Sequence, residues 1–92
     1  ATDASKKNDG EYVASAQATH GPYTVMCVVK DHQFVSIEII VGRENMFMTD
    51  EQLEEFVNKI ITDQTLQVDA IAGATMDSEA IVSAIQLAFS RK

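Results

Sequence analysis

Between Glu11 and Val41 apolar side chains recur at alternate positions, and from Leu53 onward they recur every third and fourth position; this change of period restricts the fold more than any other feature of the chain. Alternation sends side chains to opposite faces of a strand, whereas the longer spacing gathers them on one stripe of a helix. Tyr12, Ala14 and Ala16 against Glu11, Ser15 and Gln17 predict an edge strand over residues 11–19 with one wet face. His20-Gly21-Pro22 punctuates the chain, and the β-branched and apolar run from Tyr23 to Lys30 predicts a central strand. Asp31-His32-Gln33 reads as a hairpin connection. The third strand, Phe34 to Val41, then carries Val35, Ile37, Ile39 and Val41 on one face and Ser36 and Glu38 on the other, and Gly42 ends it.

Thr49-Asp50-Glu51-Gln52 has the form of a capping box, with Thr49 as N-cap and Gln52 at the third helical position. Leu53, Phe56, Val57, Ile60 and Ile61 fall on one stripe of the helix that follows, which ends near Thr62 or Asp63. Leu66 to Asp69 reads as a strand fragment. A final helix is expected from about Ser78 to Ser90, burying Ile81, Ala84, Ile85 and Ala88 with Phe89 nearby. Three strands joined by short connections, then helices, predict an α+β fold: a small antiparallel sheet covered by two helices.

A chain of 92 residues supports one domain and one modest core. Residues 1–9 are polar and aperiodic and read as a flexible tail or linker, leaving residues 10–92 as the domain. No apolar run approaches the roughly 20 residues that span a bilayer. Seven basic against fourteen acidic side chains give a net charge of −7, a field that repels nucleic acid and anionic membrane surfaces. The single Cys27 excludes an internal disulfide framework, and its apolar neighbours Val25, Met26, Val28 and Val29 mark it as a buried thiol.

The chain becomes chemically specific at Val68 to Ala80. An extended piece ending at Asp69 passes through Ala70, Ile71, Ala72, Gly73 and Ala74 into an amphipathic helix. Backbone N–H groups from Gly73 to Ser78 therefore sit at the positive end of a helix dipole, an arrangement that favours anions. Gly73 and its flanking alanines leave room for a phosphate to approach the main chain, and Thr75 presents a hydroxyl at the mouth. The alternative is a tight connection with Asp77 or Ser78 as the helix N-cap.

Asp69-Ala70-Ile71-Ala72-Gly73-Ala74-Thr75 resembles the flavinylation motif of the small FMN-binding domain family, of the form Asp-x-x-Ser/Thr-Gly-Ala-Thr, found also in respiratory and sodium-pumping complexes. Asp9-Gly10-Glu11-Tyr12, His20-Gly21-Pro22 and Val35-Ser36-Ile37-Glu38-Ile39 extend the resemblance over residues 9–89. It implies FMN joined through its phosphate to Thr75, with Asp69, Gly73 and Ala74 matching the motif and Ala72, Met76, Asp77 and Ser78 completing the cofactor-binding set. Ala72 stands where the family usually has Ser or Thr, and Asp77 where a second Thr is common, which leaves covalent and dissociable FMN both open. The resemblance further implies a bacterial, extracytoplasmic electron carrier with redox partner proteins, loaded by a flavin transferase. A cofactor-free extracytoplasmic interaction domain is the reading from another class.

Among the remaining residues, His20 and His32 lack companions at metal-site spacing and read as turn histidines. Asp50, Glu51, Glu54 and Glu55 complement the start of a helix and read as a solvated face or a docking patch for a cationic partner. Met46, Phe47, Met48, Tyr12 and Met76 are candidates to cover a flavin ring, and the alternative for the Met-Phe-Met loop is packing into the core. Glu44 matches a family position that often carries Glu.

Overall fold

The computed structural model describes residues 7–18 and 21–90. Strands β1 (Gly10–Ala18), β2 (Gly21–Lys30) and β3 (Gln33–Val41) form one antiparallel sheet in that order, with β2 central. Helices α1 (Asp50–Asp63) and α2 (Thr75–Ser90) cover one face, α2 chiefly over β1 and β2 and α1 over β3. The architecture is the α+β arrangement that the change of period implies. Of the expected tail, residues 1–6 lie outside the described residues. Lys7 to Asp9 are held against the body: Lys7 Nζ donates to Phe89 O, Tyr12 OH to Asn8 O at 2.7 Å, and the Asp31 amide to Asp9 Oδ1 at 2.8 Å.

Strand pairing sets Tyr12, Ala14 and Ala16 opposite Cys27, Val25 and Tyr23, so the inward stripes of β1 and β2 coincide. The stripe predicted for β3 is corrected. Val35 and Val41 are 46% and 49% exposed, while Phe34, Ile37 and Ile39 face inward. Two register shifts explain it: Val28 pairs with Ser36 but Val29 with Phe34, and Val25 pairs with Ile39 but Thr24 with Val41. Val35 and Ile40 are thus extra residues, and each bulge moves the residues beyond it to the other face. The hairpin turn needs only Asp31 and His32, both at positive φ (54° and 62°), the two-residue geometry that matches strand twist. His32 sits there exposed, its Nδ1 donating to Lys7 O at 2.9 Å; His20 lies outside the described residues.

α1 begins with the expected capping box: Thr49 Oγ1 accepts from the Gln52 amide at 3.1 Å and Gln52 Oε1 from the Thr49 amide at 3.0 Å. Phe56 and Ile60 are fully buried beneath it, each contributing about 1.5–3 kcal/mol relative to exposure. At its C-cap Gln64 adopts φ 55°, and its amide group bonds both the N–H and the C=O of Phe34, fixing α1 to β3. Phe34 stacks on Phe89 of α2, whose ring also meets the edge of Tyr12. Cys27 lies fully buried at the centre, where burial pushes its thiol up to about 12.

Candidate functional site

The predicted strand fragment at Leu66–Asp69 does not form. Leu66 enters the core and Val68 packs against it beside Phe56 and Val82, so the segment docks on the helical layer rather than on a sheet edge. The chain then turns tightly, with the Ala74 amide donating to Ile71 O at 2.9 Å. Gly73 has φ 82° whereas Ala72 does not enter the positive region, the pattern of a type II turn whose third residue favours glycine. A Cβ on Gly73 would meet nothing within 4 Å, so the backbone here is open to an approaching group.

α2 starts at Thr75, three residues before the expected Ser78, and neither Asp77 nor Ser78 is its N-cap. The first i→i−4 bond runs from the Ser78 amide to Ala74 O at 3.0 Å, which makes Ala74 the cap. Ser78, buried inside the first turn, uses its hydroxyl to close the loop onto the helix: Oγ accepts from the Ile71 amide at 3.0 Å and donates to Ala74 O at 2.9 Å. Ala74 offers no side-chain oxygen, and Asp77, at the third helical position, directs its carboxylate away from the first turn. Neither Asp77 nor Ser78 therefore caps the helix start beside Gly73 and Thr75, in contrast to Thr49 and Gln52 at α1.

Asp77 is 1% exposed. Its Oδ1 accepts from the Tyr23 hydroxyl at 2.8 Å, and its Oδ2 accepts from the Phe47 and Met48 amides at 2.5 and 2.9 Å. Burial and the neighbouring Asp77 carboxylate push the Tyr23 hydroxyl up to about 12. Above this cluster the chain crosses Tyr23 at Gly42 (φ 94°), where a Cβ would lie 2.7 Å from both Pro22 O and the Tyr23 ring.

Phe47, Gly73, Ala74, Thr75, Met76 and Asp77 line one depression of about 360 Å³, within the roughly 300–1,000 Å³ of small-molecule sites. Thr75 is exposed, and Phe47 and Met76 are 62% and 52% exposed beside it. A second hollow, of about 330 Å³, lies on the other flank of the turn between Ala70, Ser78, Glu79 and Val82. Thr75 and Gly73 open onto the first. Of the residues singled out in the sequence, Gly73, Ala74, Thr75, Met76 and Asp77 come together there. Asp69 and Ala72 are exposed on the connecting segment, and Ser78 is enclosed behind the turn. Among the candidate ring-covering residues, Met48 is buried and Met46 packs against the core, while Tyr12 is engaged with Phe89; Phe47 and Met76 face the depression. The cluster joining Tyr23, Asp77 and the 47–48 amides has no signature in the sequence.

Asp50, Glu51, Glu54 and Glu55 are exposed, with Asp50 paired to Arg43 at 2.5 Å. Among the described residues no helix is long and apolar enough to cross a membrane.

The sequence model of the FMN-binding domain family matches residues 19–90. An NADH:acrylate oxidoreductase of Vibrio harveyi is 28% identical over 80 residues, which cover 87% of this chain and 8% of that protein. The chain thus spans less than a tenth of the length of this relative.

Proposed function

The chain belongs to the FMN-binding domain family and has FMN as its cofactor, and from that premise we propose that it is an electron-transfer module whose FMN is joined through its phosphate to Thr75. One observation carries the choice of residue. Two hydroxyls flank the turn, and Ser78 is 1% exposed with its hydroxyl engaged by Ile71 and Ala74, whereas Thr75 is exposed beside the open backbone of Gly73. The similarity to an oxidoreductase supports the redox role.

Bound FMN supplies reversible one- and two-electron chemistry, and the protein supplies placement. Gly73 lets a phosphate approach the main chain, and the first turn of α2 presents it the positive end of the helix dipole. A phosphodiester carries one negative charge where a free phosphate carries nearly two, which suits a chain of net charge −7. Attachment would form a bond from Thr75 Oγ1 to phosphorus and break the phosphoanhydride of an activated flavin donor, whose other phosphate half departs as the leaving group; the hydroxyl proton passes to a base of the flavin transferase that catalyses the transfer. Redox partner proteins meeting the domain outside the cytoplasm complete the proposed role.

The test is denaturation of protein co-produced with a flavin transferase. Flavin should stay with the parent polypeptide, part with Thr75→Ala, and remain in some measure with Thr75→Ser. A parent that releases all its flavin reduces Thr75 to a hydrogen-bonding contact.

A further inference from the structure

Phe47 lies on the loop between β3 and α1 and is turned outward there. It is 62% exposed, while Met48 beside it is 3% exposed and Met46 packs against the core. The backbone orientation that produces this division is set by one side chain. Oδ2 of Asp77 accepts from the consecutive amides of Phe47 and Met48, and the Tyr23 hydroxyl holds Oδ1 from the opposite side. No basic side chain among the described residues pairs with this buried carboxylate, so its charge is met by backbone and hydroxyl dipoles.

Apolar packing of Met48 alone would hold the loop down without fixing how its peptide planes are turned. Two amides converging on one oxygen fix both planes, and with Met48 directed into the core, Phe47 must point outward. The ring arrives at the depression that Gly73, Thr75 and Met76 also line. We infer that Asp77 is a positioning residue for the cofactor: through the Phe47 and Met48 amides it holds the Phe47 ring beside Thr75 as one wall of the isoalloxazine site. The inference rests on the reading that FMN sits at this turn. It gives Asp77 an indirect role, since its carboxylate faces the protein interior.

The experiment has one arm without flavin and one with it. In the apoprotein, amide hydrogen exchange at Phe47 and Met48 should be slow in the parent and faster in Asp77→Asn, whose neutral amide oxygen accepts more weakly than the carboxylate. In the FMN-loaded protein, Phe47→Ala and Asp77→Asn should each weaken the visible-region circular dichroism of the flavin and increase quenching of its fluorescence by iodide. The double variant should go no further than Phe47→Ala. Ile60→Val, in the core beneath α1, should lower the melting temperature and leave both flavin signals as in the parent. The inference is overturned if Asp77→Asn speeds exchange without moving the flavin signals, or moves them equally in the absence of Phe47. Should Asp77→Asn fail to fold, Phe47→Ala alone decides, because this exposed replacement must change both signals. These signals can also be read on dissociable FMN, so release of flavin on denaturation sinks attachment at Thr75 and leaves the role of Asp77 standing.

Discussion

Replacing Gly42 and Gly73 by alanine, one at a time, separates backbone strain from steric contact at two glycines of similar conformation. Their φ angles are 94° and 82°, so alanine suffers a comparable conformational penalty at both, about 1–2 kcal/mol, partly offset by about 0.4–1 kcal/mol from the stiffer unfolded chain. Gly73→Ala adds a methyl to open space and should cost about 1 kcal/mol. At Gly42 the methyl would lie 2.7 Å from the Pro22 carbonyl oxygen and from Cδ1 of the fully buried Tyr23. Neither neighbour can swing aside, and overpacking adds about 1–3 kcal/mol, for a total near 2–4 kcal/mol. A chain of this size has about 5–14 kcal/mol of stability in all, so the second variant is severely weakened. Urea unfolding of the apoproteins under identical conditions gives both values, provided the slope is unchanged. FMN loading should rank them in reverse: Gly73→Ala, the milder lesion, places its methyl where the phosphate approaches and should lose more cofactor than any folded Gly42→Ala. Equal losses of stability would refute the steric account, and normal loading of Gly73→Ala would refute the close approach.

Three other outcomes follow from the same geometry. Ser78→Ala leaves the Ile71 amide without its acceptor and should cost about 1–3 kcal/mol, read in the melting temperature and in faster exchange at that amide. Tyr23 has its pKa raised in the fold, to about 12 from 10.0, so its stabilising contribution is present below pH 10 and is lost between pH 10 and 12; ultraviolet titration should show a tyrosine ionising only near pH 12, absent in Tyr23→Phe. Cys27, raised to about 12 from 9.0 by burial, should resist maleimide at pH 8 in the folded protein and react at once in denaturant.

How far the sequence speaks for itself differs between its elements. β1, β2 and α1 follow their hydrophobic period because each presents one unbroken face to the core, and the Thr49–Gln52 box is local chemistry that needs no tertiary context. β3 departs from alternation because nothing in the residue types of Val35 or Ile40 marks an extra residue; the bulges are set by pairing to β2. The start of α2 was legible only to within a turn, since Ser78 and Asp77 look like cap residues and act from inside the helix instead. Gly73 and Thr75 could be singled out because a turn entering a helix is encoded within a few residues. Tyr23 and Asp77 are 54 positions apart, and no local pattern announces a bond that depends on how α2 lies on the sheet. For the same reason the outward turn of Phe47, between two methionines that go inward, emerges only in three dimensions.

Tandem mass spectrometry of the flavin-bearing peptide, from denatured and digested protein co-produced with a flavin transferase, tests attachment at Thr75 most directly. The expected result is one FMN per chain, in phosphodiester linkage, with fragment ions that bracket Thr75 and exclude Ser78. A bare polypeptide from yellow protein, or an FMN increment that maps to Ser78 or any other hydroxyl, would contradict it.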